Sequence, residues 1–582
     1  LSGEVNATGG TVTLTSGGAI TEPGGAILAA TLGGTSAGAA LLTGVNTIGT
    51  LAYPNASDPP STPAFAAGGD FALVDSIPLS ITAPVSVPAG QTIALVTDGL
   101  IEGSQTIFTE AGSLVVFGAL EAPGGEVSIA PFTASVPVAL VGGGTGMPGT
   151  LSIDQALLEV ITAGTLALTS DGTEPITIFG ANQLGGLVDP NTGAASGVDA
   201  LLVTAGGAFS EAAGASLNVG TLTGSAASVA LNGANVISTL GPFTSSGGFS
   251  LADTVGLTVL GNVSDASGVT LEVGSGNLTI GNASTFGQLA SAGTVNLQVP
   301  NGSITVPNGH VQAGTLSGAA SGLADFATAH VTTLGSFSVS GGSGQFALTD
   351  NAPLTITGPV SAAYLDIAAP GTLTLAGNIF TTGLPLADQS GAAPALPGSV
   401  LQVLSGGVFQ QLGTSVIAPL GGGGATLRIQ LPAEGGAANF TNLLAGGANL
   451  VLALGPGAAS GTLAAGGLLI IGTGGSANLL GSVAGIAGSA AARTARILPS
   501  VNANYLFNGC VIQSTVCSTL FAALLRQVPQ GIPNIVASGG GPTLSPSVTL
   551  PAIVLFVIPA VVGENWTDSG GFPLPNIAKL DF

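Results

Sequence analysis

The chain has 582 residues, a formal net charge of −23, 95 glycines and only 6% charged residues. Its 46% hydrophobic content is that of a chain able to bury a core, which excludes disorder. All five basic residues (Arg428, Arg493, Arg496, Arg526 and Lys579) lie beyond position 427, which excludes nucleic acid and anionic membrane surfaces, since both need basic patches. So few ionisable groups also predict a surface whose charge changes little with pH.

In chain order, Thr11-Val12-Thr13-Leu14-Thr15, Ser80-Ile81-Thr82, Leu278-Thr279-Ile280 and Thr372-Leu373-Thr374-Leu375 alternate apolar with small polar residues. Each stops at Gly, Asn or Pro, which predicts short strands with one face inward. A block recurs three times. It opens on Thr31-Leu32-Gly33-Gly34, Thr221-Leu222-Thr223-Gly224 and Thr315-Leu316-Ser317-Gly318. It continues through Ile48 to Leu51, Ile237 to Leu240 and Val331 to Leu334. Next come Phe71-Ala72-Leu73-Val74-Asp75, Phe249-Ser250-Leu251-Ala252-Asp253 and Phe346-Ala347-Leu348-Thr349-Asp350.

The first two marked leucines lie 19, 18 and 18 residues apart in the three blocks. That is the length of one coil of a β-solenoid with tight corners, stacked at about 4.8 Å. The reading is an all-β, right-handed parallel β-helix over 1–485, of roughly 24 coils on the order of 115 Å long. The first block is longer than the others by a Pro-rich insertion near 53–65, which leaves the coil as a loop. A capping or coupling region over 486–582 follows, irregular or helical, with its best helix pattern at Cys517 to Gln527. No apolar run is long enough to span a bilayer as a helix. No signal peptide is visible at Leu1, so a secreted form would be a processed one.

The degenerate coils Gly302-Ser303-Ile304-Thr305-Val306-Pro307-Asn308-Gly309 and Pro370-Gly371-Thr372-Leu373-Thr374-Leu375-Ala376-Gly377-Asn378 resemble the filamentous-haemagglutinin-like β-helix proteins of Gram-negative bacteria. The stretch from Pro499 to Cys510 is similar to the end region of large alphaproteobacterial members. The resemblance implies export to the cell surface or outside the cell, and roles in adhesion, aggregation or biofilm matrix. It carries no clear amino-terminal secretion domain of the two-partner type.

Parallel β-helices also host polysaccharide lyases and hydrolases. Lyases of this fold use a basic residue, and none precedes position 428; hydrolases use two nearby carboxyls, and close acidic pairs such as Asp70 with Asp75 or Asp154 with Glu159 are few. The expectation is therefore no enzyme, no cofactor and no metal. Asp75, Asp253 and Asp350 recur at equivalent places, far apart in sequence, and are read as structural corner residues bonding backbone amides; Asn46 and Asn235 are read likewise. His310 and His330 are ordinary corner or surface positions or a stacked pair. Threonine placement drifts too much for an ice-binding ladder. Cys510 and Cys517 are open to a small disulfide loop or to two inert thiols. In the tail, Ile553, Val554, Leu555, Phe556, Val557, Ile558, Trp566 and Phe582 form a candidate intersubunit strand, the alternative being a segment packed back on its own chain. Function is expected to be an extracellular fibre subunit assembling with itself. The alternatives are a monomeric adhesin binding a surface or glycan and, third, a polysaccharide-active enzyme.

Overall fold

The computed structural model describes residues 1–52, 62–98, 100–101, 118–143, 147–190, 192–342 and 344–381. From 399 onward it describes mainly separate strands, the last of them Phe556–Val557. The chain is almost entirely β, and its strands pair in parallel. Among the described residues the antiparallel exceptions are Leu187–Val188 against Ala195–Ala205 and Asn502–Phe507 against Cys510–Val511. One short helix among the described residues, Gln155–Glu159, is started by the Asp154 carboxylate accepting from the Leu157 amide at 2.9 Å. No described helix is long and apolar enough to cross a membrane. Backbone contacts divide the chain into Leu1–Gly293 and Thr294–Phe582, a division inside the stretch expected to be one array.

In the first unit, strands find parallel partners about one repeat further on. Leu32 faces Leu51, and Leu222, Leu240, Val259 and Ile280 face one another in succession. These steps of 18 to 21 residues match the length read from the repeat block. They do not hold throughout. Leu120 faces Ile161 and Leu166 faces Leu201, steps of 41 and 35 residues. The first of these longer steps holds the extra elements Val138–Gly142, Leu151–Asp154 and the helix, so a step of 18–20 residues is not kept along the unit.

Alternation explains what is buried. In Phe71–Asp75 the residues Phe71, Leu73 and Asp75 are buried while Ala72 and Val74 are half-buried, and Phe249–Asp253 repeats the pattern. Each fully buried Leu, Ile or Phe contributes roughly 1.5–3 kcal/mol. The repeat block also shows why its opening ends on Gly: Gly34 faces Phe65, as Gly224 faces Phe243. A Cβ on Gly34 would lie 2.2 Å from the Leu14 carbonyl oxygen and 3.0 Å from the Phe65 ring. Glycine is what lets the ring close over the strand. Phe65 packs on Phe71 at 4.9 Å and Phe243 on Phe249 at 5.4 Å.

The second unit repeats these rules. Leu316, Leu334, Ile356 and Leu375 face one another in succession. Gly318 faces Phe337, which packs on Phe346 at 4.9 Å. Parallel pairing continues through Leu365, Leu401, Leu427, Leu450 and Leu469.

Threonines keep register better than their sequence spacing suggests. Thr221, Thr239, Thr258 and Thr279 form one rank in the first unit, and Thr315, Thr333, Thr355 and Thr374 form one in the second. The apparent drift comes from unequal connections between strands, since pairing realigns each strand. A second, parallel rank is missing: two residues after Thr239 and Thr258 stand Gly241 and Leu260.

Candidate functional site

The polar groups that the repeat block buries form the densest constellation among the described residues. Asn46 is fully buried at a bulge, where Leu42 to Asn46 faces only Leu73 to Asp75. Its Oδ1 accepts from the Ile27 amide at 2.6 Å. Its Nδ2 donates to the carbonyls of Leu42, Gly44 and Val74 and to Glu22 Oε2, at 3.0–3.2 Å. Glu22 Oε2 also accepts from the Gly44 amide at 2.9 Å, and Asp75 Oδ1 accepts from the Ile48 amide at 3.0 Å. One amide thus ties three neighbouring strands, with a carboxyl on either side.

The second block repeats the asparagine and glutamate bonds, and differs in that its aspartate is bonded through both carboxyl oxygens. Asn235 Oδ1 accepts from Leu217, and its Nδ2 donates to Glu211 Oε2, Leu231, Gly233 and Ala252. Glu211 Oε2 accepts from the Gly233 amide at 2.7 Å, and Asp253 accepts from Ile237 and Val255 at 3.0 and 2.9 Å. Sequence reasoning paired Asn46 with Asn235 and the three aspartates with one another, but missed the glutamates. The signal was available: Glu22 and Glu211 each precede their asparagine by 24 residues.

The third block differs in a coordinated way. Ala329 stands where the asparagines stand, and Val306 and Thr305 lie where the glutamate would be, five and six residues before Val311. The bulge has lost a residue, Phe326 to Ala329 facing Leu348 to Asp350. Asp350 remains, accepting from Val331 at 3.1 Å and Ala352 at 3.0 Å. His330, beside it, has Nδ1 2.6 Å from Asn351 Oδ1. Burial, with a smaller contribution from His330, holds His310 below the usual histidine range.

Burial pushes the carboxyls of Asp75 and Asp253 up to about 6, against the opposing pull of the amides that bond them. Burial also raises Glu211 and Asp350, and raises Glu121, where the charge of Asp189 adds to it. Asp265 goes the other way. Its burial is outweighed by the Ser245 hydroxyl and the amides of Gly268, Gly248 and Ser267, which together hold it low. The expectation of little pH response concerns surface charge and does not extend to these interior acids.

Of the other acidic residues singled out, Asp70 accepts from the Thr92 amide at 2.9 Å and Asp154 starts the helix. Among the described residues no three His, Cys, Asp or Glu side chains gather as metal ligands. Cys510 begins the strand Cys510–Val511; Cys517, the 53–61 part of the insertion, the helix pattern at 517–527, Trp566 and Phe582 lie outside the described residues. Of the tail, Phe556–Val557 is described, paired in parallel with Ala495–Ile497 of the same chain. The chain matches no known protein family, no curated protein and no solved structure.

Proposed function

We propose that the chain is a right-handed parallel β-helix serving as an extracellular structural and adhesive scaffold, without catalytic activity, that assembles with itself at the cell surface or in a biofilm matrix. The observation that carries this reading is the stacking of like on like. Threonine sits on threonine, and a branched aliphatic residue (Leu, Val or Ile) on another, through four successive parallel strands in each unit. A chain winding in turns produces such ranks. The bonded groups of the buried Glu–Asn–Asp sets are engaged by backbone amides and carbonyls, which suits holding strands rather than reacting with a substrate.

Negative-stain electron microscopy of the purified chain over a concentration series tests the proposal. Elongated particles joining end to end as concentration rises are expected. Compact particles would reject the β-helix, and single short rods at every concentration would reject self-assembly. The second reading, a monomeric adhesin, is favoured by the insertion. It enters between Leu51 and Phe65 without disturbing the Gly–Phe pairing that the other blocks share, so a loop can be displayed there at no cost to the sheet.

A further inference from the structure

We propose that the two corners Glu22–Asn46–Asp75 and Glu211–Asn235–Asp253 are proton-binding sites that lock the first unit in acid. Each takes a proton from solvent onto a carboxyl oxygen and becomes less stabilising when that proton leaves near neutrality. The geometry is that of a site built for a neutral acid. Asp75 Oδ2 in the first corner and Glu211 Oε1 in the second are open oxygens, both buried with no hydrogen-bond partner, while Asp253 is bonded at both oxygens. An ionised carboxylate in such a place lacks the donors that offset its desolvation. Adding the proton removes the charge and leaves every bonded oxygen in place.

No Lys or Arg side chain lies on the strands packed against either corner. Around the second corner, the strands Ser216–Ser225 and Ser228–Ser245 contribute no titratable side chain. Phe249–Asp253 contributes Asp253 alone, and Gly268–Val273 carries Glu272, which is exposed. The strand Ala195–Ala205, paired with Ser216–Ser225, carries Asp199, which is exposed. Around the first corner, Ala26–Ser36, Ala40–Leu51 and Thr92–Val96 carry none. Asp70 is exposed, and the Leu1 α-ammonium donates to the Thr21 carbonyl beside Glu22. The raised carboxyls of Asp75, Asp253 and Glu211 follow from this burial. In the third block the glutamate and asparagine are both absent, and burial still raises the remaining Asp350, opposed by the amides of Ala352, Val331 and Asn351 and least by His330.

The sign follows from linkage. A carboxyl raised on folding stabilises fully below its unfolded value near 4, and that stabilisation is lost as pH rises through the folded value near 6. Each unit of elevation is worth tenfold in the folding equilibrium.

Thermal unfolding of the full chain between about pH 4 and pH 7, at fixed high salt, tests this. The wild type should melt highest near pH 4, with stability falling around pH 6. The double variant Asp75→Asn/Asp253→Asn, which removes the charge but keeps an acceptor oxygen, should melt above the wild type at pH 7 and show a flatter profile. A double variant with the wild-type pH slope overturns the proposal. Should it fail to fold, infrared titration of the wild type decides: protonated carboxyl signal persisting to about pH 6 supports the sites, and its loss by about pH 4.5 overturns them. Calcium chloride raising the wild-type melting temperature at pH 7, and abolishing the slope, would assign the open oxygens to a metal ion and also overturn them.

Discussion

At the scale of single residues, the asparagine of each corner carries more backbone than any other described side chain. Asn235 accepts from one amide and shares its two N–H groups among three carbonyls, from its own and a neighbouring strand, and Glu211. Leaving a buried polar group unpaired costs about 1–3 kcal/mol, and Asn235→Ala strands several. We expect Asn235→Ala and Asn46→Ala each to lower stability by about 3 kcal/mol or more, read by denaturant unfolding. A loss under about 1 kcal/mol would mean the bulge rearranges to satisfy itself. The reverse change, Ala329→Asn in the third block, should give no gain, because the bulge residue that provides room and carbonyls is missing there. The aspartates were legible because each falls on the inward phase of Phe-x-Leu-x-Asp. Glu22 and Glu211 were not, since each lies at the end of a strand one step earlier (just after Ile20–Thr21, and closing Ala208–Glu211) and contact across that step leaves no local pattern. Only comparison of all three blocks exposes them.

At the scale of elements, what repeats is a pairing rule rather than a length. The first block places thirteen residues between Leu51 and Phe65, where the others place two between Leu240 and Phe243 and between Leu334 and Phe337. Yet each Phe faces the same glycine. Counting from Leu51 to Phe71 put the insertion near 53–65, and the register narrows it to the segment before Phe65. Long steps such as Leu120 to Ile161 escaped the sequence because extra strands and a helix at a corner break no alternation; they only lengthen it. Replacing residues 52–64 by the Gly-Pro pair that joins Leu240 to Phe243 should therefore leave the circular dichroism spectrum and cooperative unfolding intact, with the melting temperature within about 4 °C. Loss of cooperative unfolding would show that the segment, which includes the buried Ala64, holds the sheet. Gly34→Ala is the opposite case. Its Cβ meets a carbonyl oxygen and a ring at once, neither of which is a flexible side-chain end, so we expect a loss of about 1–3 kcal/mol in the same unfolding assay.

At the scale of the whole molecule, two sources of pH dependence have the same sign and must be separated. With 28 acidic and five basic residues, the folded chain repels itself at neutral pH, and acidification relieves that repulsion. Protonating the buried corners stabilises in the same direction. Salt tells them apart. Exposed charges are screened within about 8–10 Å at moderate ionic strength, whereas the desolvation of a buried carboxyl is not. Adding salt at pH 7 should therefore raise the melting temperature up to a plateau, and salt at pH 4 should do little, because much of the surface charge has gone. The plateau at pH 7 should still lie below the value at pH 4, and the remaining gap belongs to the buried acids. If salt alone brings the pH 7 protein up to its pH 4 stability, surface repulsion accounts for the whole response and the interior carboxyls contribute nothing to it.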